Sequence, residues 1–152
     1  MTRKLRAIWL VSTGRRRSVI SVSTTAVAAV LTLLLSACSS GKAARCEEAF
    51  TAVATSVTGV ASAEWDCSFQ FGGGWVRSDV VLEATTEDEA VAVMEDLLRA
   101  FAASPDLEDG WGTPQEYVTE DGSIIVSVKD LKGFGGVPNV GEVREHYGIT
   151  PG

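Results

Sequence analysis

Charge is distributed unevenly along the chain, and this limits how much of it can fold as a globular domain. Residues 1–37 contain six Arg and Lys but no Asp or Glu, whereas residues 38–152 contain seven basic residues and all 20 acidic ones. Residues 19–35 carry no charge. A basic start, an apolar middle and small residues at the end are typical of a secretory signal peptide, not of a folded element. Residues 38–152 therefore remain for one ordinary domain.

Four residues at the end of the apolar run make this signal more specific. Leu35-Ser36-Ala37-Cys38 resembles the lipobox of bacterial lipoproteins, in which a Leu, two small residues and a Cys follow one another. The resemblance covers residues 1–38. It implies that Cys38 receives a diacylglyceryl group, that residues 1–37 are removed, and that the new amine can be acylated. Because two or more acyl chains hold a protein stably at a membrane, we expect an anchored protein on the extracytoplasmic face of the cell membrane.

Two features of this segment leave alternatives open. An uncleaved transmembrane helix competes with the lipoprotein interpretation, although the apolar run is at the lower length limit for spanning and contains several Ser and Thr. Arg16-Arg17 followed by Ser18 resembles a twin-arginine signal, but the flank lacks the usual Phe-Leu-Lys, so an ordinary Sec signal fits as well. The Ala-, Val- and Gly-rich composition is similar to that of small lipoproteins of high-GC Gram-positive bacteria, a likeness that implies no activity.

The other two cysteines, Cys46 and Cys67, are predicted to face one layer. An i, i+3, i+4, i+7 apolar pattern that starts at Phe50 predicts an amphipathic helix over residues 47–60, and Cys46 extends its apolar face. Alternation predicts a strand over residues 64–71 with Cys67 on its apolar side. An even pair in an exported domain indicates a disulfide, which would stabilise a loop of about 20 residues by roughly 3 kcal/mol. A metal site or redox pair is disfavoured because no CxxC exists.

The remaining elements complete one domain over residues 46–152, preceded by a lipidated tether over residues 38–45. Patterning predicts strands over residues 75–84, 115–120 and 123–129, a helix capped by Thr86 that ends near Ala103, and a short helix over residues 139–146. The order α-β-β-α-β-β predicts an α+β two-layer sandwich, with an antiparallel four-stranded sheet and two helices on one face. Layer and order are loosely similar to split-βαβ, ferredoxin-like units.

Residues that could carry catalysis are sparse. His146 is the only His, it stands beside Arg144 and Glu145 on a segment that is expected to be solvated, and no Gly-x-Ser-x-Gly segment occurs. Acidic pairs are expected on solvated faces, and the loop over residues 106–109 lacks the ligand spacing of an EF-hand. The net acidity of residues 38–152 argues against nucleic-acid binding. We therefore expect no enzymatic activity, no cofactor and no metal site.

Aromatic residues suggest where a partner could bind. Phe69 and Phe71 are expected to pack in the core, whereas Trp75 and Trp111 are expected to be exposed at one end of the sheet. An acidic rim there would select cationic ligands, peptides or proteins. The principal hypothesis is a lipoprotein that binds a protein or an envelope component. The alternative is a small-ligand or cation-binding lipoprotein, and its candidate contacts are Trp75, Asp106, Asp109 and Trp111.

Overall fold

The structure, a computed structural model, describes residues 41–70 and 73–152. The predictions for the signal peptide, for lipidation of Cys38 and for Phe71 lie outside the described residues. In chain order the elements are α1 (residues 41–54), β1 (Val60–Gln70), β2 (Gly73–Leu82), α2 (Glu87–Ala103), β3 (Tyr117–Thr119), β4 (Ile125–Val126), a 3-10 helix (Val128–Asp130) and α3 (Val140–Tyr147). The chain thus has mixed α/β content, with an open four-stranded sheet and three helices.

The strands lie in the order β1-β2-β3-β4, but their directions differ from the prediction. β1 and β2 form an antiparallel ladder of ten residue pairs, and β3 and β4 are also antiparallel. β2 and β3 are parallel, so the expectation of a wholly antiparallel sheet is wrong. The cause is α2, which links β2 to β3 as a crossover and lets β3 enter the sheet in the direction of β2.

The last two strands are much shorter than the predicted ranges 115–120 and 123–129. Asp121-Gly122 forms the predicted turn, and Gly122 has a φ of 69°. The apolar alternation continues to Val128, but this residue is buried from a 3-10 turn and not from a strand. The carboxylate of Asp130 accepts a hydrogen bond of 2.7 Å from the N–H of Ser127. This bond starts the turn and ends the ladder.

Helix α1 is displaced toward the N-terminus from its predicted range of 47–60. It already includes residues 41–45, which the sequence assigned to the tether. At the other end, the hydroxyls of Thr55 and Ser56 donate to carbonyls of the last turn, at 2.8 Å to Thr51 and 2.6 Å to Val53. Such side-chain bonds compete with continued helix. Gly59 follows with a φ of 91°, so the chain turns into β1.

Both α2 and α3 begin at a residue whose side chain caps the helix. The Thr86 hydroxyl accepts from the N–H of Glu89 at 3.3 Å, at the predicted start of α2. Asn139 and Glu142 cap α3 reciprocally, at 2.8 and 2.9 Å. Each pair supplies acceptors to N–H groups that a helix start leaves without an intrahelical partner. α3 matches the short helix predicted over residues 139–146, which stood outside the two-helix sandwich order.

The core lies where α1 and α2 meet the inner side of β1 and β2. Phe50 at its centre stacks on Trp65, with ring centroids 4.3 Å apart, and meets Phe101 edge-on at 5.1 Å. The sulfur atoms of Cys46 and Cys67 lie 2.08 Å apart, at disulfide-bonding distance. Fully or almost fully buried apolar residues around them are Ala54, Val80, Leu82, Ala90, Met94, Leu97, Leu98, Tyr117 and Val126.

Candidate functional site

The solvent side of the β1–β2 hairpin carries alternating charged residues and one tryptophan. The register places Glu64 opposite Asp79 and Asp66 opposite Arg77. Trp75 is 42% exposed, and the Arg77 guanidinium lies over its ring, 4.3 Å from the centroid. Such cation–π stacking holds both side chains against the sheet. Five exposed residues, called the outer face below, therefore combine three carboxylates with one stacked aromatic-cation pair: Glu64, Asp66, Asp79, Trp75 and Arg77.

The edge of β2 that faces away from β1 is largely uncovered. Within the described residues, β3 pairs with it only at Val81 and Leu82. The N–H of Cys67 donates to the carboxylate of Glu47 at 3.1 Å, so it points away from β2. Hydrogen-bonded and non-hydrogen-bonded pairs alternate in an antiparallel ladder. Because Cys67 pairs with Val76, the backbone groups of Val76 must point away from β1.

The same alternation directs the backbone groups of two further residues outward. Gly74 and Ser78 lie two positions on either side of Val76 and share its orientation; the three residues are called the free edge of β2 below. In residues 41–70 and 73–152, no backbone hydrogen bond from another segment reaches them. A groove of about 540 Å³ separates this edge from Gln115 and Glu116, which precede β3. An extended chain could therefore reach these groups from solvent.

At the opposite edge of the sheet, α1 blocks β1 at Cys67. Glu47 accepts the N–H of Cys67, and the Cys46–Cys67 bond ties the helix to the strand. A side-chain acceptor at an edge N–H blocks the pairing of another strand at that point. The two long strands thus differ, because the edge of β1 is blocked at Cys67 and the edge of β2 is free from Gly74 to Ser78.

Trp111 is not exposed, contrary to the sequence-based expectation. Its exposed fraction is 4%, and its ring packs near Phe69 and Phe50, with centroids 5.8 and 6.0 Å away. The reason is the position of its loop, because the Trp111 carbonyl accepts the N–H of Val140 at the start of α3 at 2.9 Å. This bond draws the loop onto the core.

The two candidate carboxylates of the acidic loop are separated by the structure. Asp106 is exposed and lines a cavity of about 370 Å³ with Arg45, Glu108 and Trp111. Asp109 instead accepts a short hydrogen bond from the guanidinium of Arg144. Trp75 and Trp111 both line a second cavity of about 210 Å³ on the other side of Glu108. The four predicted contacts therefore divide between two neighbouring cavities and one ion pair.

Sequence reasoning missed Lys42, which belongs to these cavities. Its ammonium lies 2.6 Å from the carboxylate of Glu108 and 4.8 Å from the ring centroid of Phe69. It also lines the smaller cavity. Because residues 41–45 were assigned to a tether, no helical face was expected there that could direct Lys42 to the loop.

Arg144 was expected on a solvated segment, but its side chain is only 12% exposed. Its guanidinium donates to the carbonyls of Ala102 at 3.0 Å, Ser104 at 2.6 Å and Leu107 at 3.0 Å. The last turn of α2 has no basic residue of its own. A cation at a helix C-terminus satisfies carbonyls that lack intrahelical partners. The absence of a basic residue from the last turn of α2 was the one sequence signal that could have indicated a cationic partner such as Arg144.

His146 lines a cavity of about 440 Å³ together with Glu142 and Glu145. Its exposed imidazole packs at an angle against Phe134, with ring centroids 4.2 Å apart, and lies against Gly133, where an added Cβ would meet the ring at 2.5 Å. No group of three or more His, Cys, Asp or Glu that could hold a metal ion occurs in the described part of the chain.

Two groups have strongly shifted pKa values, and both have structural causes. The Ser123 N–H and the hydroxyls of Thr119 and Ser123 donate to Asp121 and lower its pKa to about 2. Burial raises the pKa of the Tyr117 hydroxyl far above its ordinary value. The first group stabilises the β3–β4 turn and the second lies in the core, so neither is on the outer face.

Comparison with known proteins adds no family to this description. No protein-family model, no curated protein and no solved structure matches the chain. No helix in residues 41–70 or 73–152 has the length and apolarity needed to cross a bilayer.

Proposed function

We propose that this chain is a lipoprotein, anchored through Cys38 to the extracytoplasmic face of the cell membrane, and that it binds a protein or envelope component without catalysing a reaction. Leu35-Ser36-Ala37-Cys38 supports the anchor. Helix α1 is already formed at Gly41, three residues after Cys38. Three residues span at most about 11 Å. The folded domain would therefore work close to the membrane surface.

The outer face is the observation that carries the interaction role. In the proposed two-layer arrangement the helices cover one face of the sheet, which leaves the opposite face for a partner. Trp75 stands there half-exposed under the guanidinium of Arg77. Trp and Arg are enriched among the residues that dominate binding energy at protein interfaces. A stacked pair of this kind loses little conformational freedom when a partner covers it.

Binding of a small cation or cationic ligand remains the second candidate. The cavity lined by Asp106, Glu108, Glu48 and Trp111 supports it, because its three carboxylates outnumber the one cation in its lining, Arg45, and stand beside an aromatic wall. If this function holds, Asp106→Asn weakens ligand affinity. Asp109→Asn is the matched control, since Asp109 faces Arg144 instead of the cavity. Equal affinity in wild type and Asp106→Asn contradicts this candidate.

Mass spectrometry of the full chain, taken from detergent-solubilised membranes, tests the anchor. The expected mass is that of a chain beginning at Cys38, heavier by a diacylglyceryl group and lighter by two hydrogens for the Cys46–Cys67 bond. Cys38→Ala should abolish both the lipid and the cleavage. An unlipidated chain that retains residues 1–37 would contradict the proposed anchor and indicate a single-pass membrane protein.

Native mass spectrometry of the same preparation tests the interaction role. A co-purifying component should be retained by wild type and lost in Trp75→Ala, because this change removes the aromatic half of the stacked pair on the outer face. Asp96→Asn, at an exposed position on α2, is the control and should retain the component. Loss in both variants, or in neither, contradicts binding at the outer face.

A further inference from the structure

We infer that the free edge of β2 is a docking site for a basic, extended segment of a partner protein, which adds to the sheet as a strand in the groove between β2 and Gln115–Glu116. This inference deepens the proposed interaction role and rests on it. It names the binding mode, backbone pairing with Gly74, Val76 and Ser78, and the chemistry of the partner segment. Strand addition uses main-chain hydrogen bonds for affinity and side chains for specificity.

The two edges of the hairpin differ in how they are protected. Folded proteins normally blunt an exposed edge with charge, proline or a covering element, and at the β1 edge Glu47 of α1 occupies the Cys67 N–H. On β2, charge is confined to the outer face, and no described segment covers the backbone groups of Gly74, Val76 and Ser78. An uncovered stretch beside a blocked one, in the same ladder, indicates an edge that is kept available.

There is room for a strand beside that edge. β3 joins β2 only at Val81 and Leu82, and the groove of about 540 Å³ runs along Val76 to Val81. A smaller cavity of about 210 Å³ shares Val76 with the groove and is also lined by Gly74 and Trp75. From Gly74 to the first β3 pair the edge is about 23 Å long, at about 3.3 Å per residue. That length accepts a strand of about six or seven residues.

Charge selects the partner. Glu64, Asp66 and Asp79 lie on the outer face and Glu116 lines the groove, whereas Arg77 is held over Trp75. A second copy of this chain would bring the same carboxylates together, and like charges that face each other across strands destabilise pairing. A segment with Lys or Arg at alternate positions would place its cations beside Asp79 and Glu116 and its other side chains toward the core side. Glu64 and Asp66 lie one strand further away on β1.

The test uses the full chain, purified from membranes in detergent, and fluorescent ten-residue probe peptides. A peptide of alternating Lys and Val should bind, and its counterpart with Glu in place of Lys should bind at least about tenfold more weakly. Two N-methylated forms of the Lys-Val peptide test strand addition, with methyl groups on the Val amides or on the Lys amides. Successive amides of a strand point to opposite edges, so one form should lose binding and the other should keep it.

Hydrogen exchange locates the bound peptide. The amides of Val76 and Ser78 should exchange more slowly when the Lys-Val peptide is present, while the Cys67 amide, already bonded to Glu47, should not change. Protection elsewhere without protection of these two amides overturns the inference. Equal binding of the Lys and Glu peptides, or of both methylated forms, also overturns it. So does protection of the same amides in a dimer of this chain without peptide.

Charge variants provide a second, independent measurement. Asp79→Asn with Glu116→Gln should weaken binding of the Lys-Val peptide about three- to tenfold, from two partly exposed ion pairs. Asp96→Asn with Glu145→Gln removes the same charge from exposed helix positions and should leave binding unchanged. A lipidated chain that binds no probe peptide overturns this inference but leaves the proposed anchor intact. An unlipidated chain that binds the Lys-Val peptide contradicts the anchor but leaves this inference intact.

Discussion

The β1–β2 hairpin and residues 104–152 are held together by different interactions. The hairpin has ten residue pairs, interrupted by one register shift, and packs on an aromatic cluster around Phe50 and the Cys46–Cys67 bond. Residues 104–152 contain one short ladder of two pairs. They also bury Trp111 and Tyr117 in the core, but their loops are fixed by polar contacts of Thr113, Asn139 and Arg144. The first region depends on repeated, nonpolar and covalent contacts. The loops of the second depend in addition on single hydrogen bonds, each between particular side-chain and backbone groups.

The largest expected effect is that of emptying the aromatic cluster. Phe50→Ala should lower the free energy of unfolding by about 4 kcal/mol, the loss typical of a fully buried Phe. Phe50 has no exposed surface and meets three aromatic rings. Urea unfolding monitored by tryptophan fluorescence measures the change. Val137→Ala, at a residue 45% exposed, is the control and should stay within about 0.5 kcal/mol. If Phe50→Ala loses less than about 1 kcal/mol of unfolding free energy, the Phe50 ring is not central to the packing of this cluster.

Reduction of the Cys46–Cys67 bond should have the next largest effect. Two residues separated by 21 positions close a loop whose cross-link contributes about 3 kcal/mol in the chain-entropy model. Thermal unfolding with and without a phosphine reductant should therefore show a melting temperature lower by several degrees in the reduced protein. Cys46→Ala with Cys67→Ala is the control, because its melting temperature should not respond to reductant. An unchanged wild-type value would show that this bond does not support the hairpin region.

Removal of the Arg144 guanidinium tests the other region. Arg144→Met keeps much of the aliphatic stem but leaves the carbonyls of Ala102, Ser104 and Leu107 without this donor. We expect a loss of about 2 kcal/mol, since hydrogen bonds to charged groups contribute more than neutral ones. Hydrogen exchange should accelerate in residues 104–112 and stay unchanged in β1 and β2.

The control for this variant is Lys132→Met, which removes a cation from an exposed turn. Surface substitutions away from caps and ion pairs usually change stability by no more than about 0.5 kcal/mol. If both variants lose the same stability, or if exchange accelerates throughout the hairpin, the two regions are not held independently.

The same contrast explains which parts of the fold could be predicted. Alternation over β1 and β2, the Cys pair on one layer, and the cap at Thr86 are local or periodic patterns, and the structure contains all of them. The parallel entry of β3 depends on where α2 delivers the chain, which no local pattern records. The β3–β4 ladder was predicted too long because the apolar alternation through Val128 is also compatible with a buried 3-10 turn.

Prediction of the candidate site was limited in a similar way. The exposure of Trp75 follows from its place on a strand of alternating polarity. The burial of Trp111 and the capture of Asp109 by Arg144 depend on loop contacts with α3, and loops carry no periodicity from which contacts can be read. The free edge of β2 could not be predicted from the sequence either, because the number of neighbours that a strand has depends on the whole sheet.

The smallest expected effect concerns the turn between β3 and β4, and it is a pH dependence. Hydrogen bonds from Ser123 and Thr119 lower the pKa of Asp121 from its ordinary 3.8 to about 2. A depressed pKa means that the unfolded chain binds the proton more tightly, so this stabilisation is complete above pH 3.8 and is lost as the pH falls toward 2. Asp121→Asn keeps an acceptor but removes the charge. The free energies of unfolding of wild type and variant should therefore converge as the pH falls through this range. If this difference between wild type and Asp121→Asn stays constant with pH, the charge of Asp121 contributes nothing to the stability of the turn.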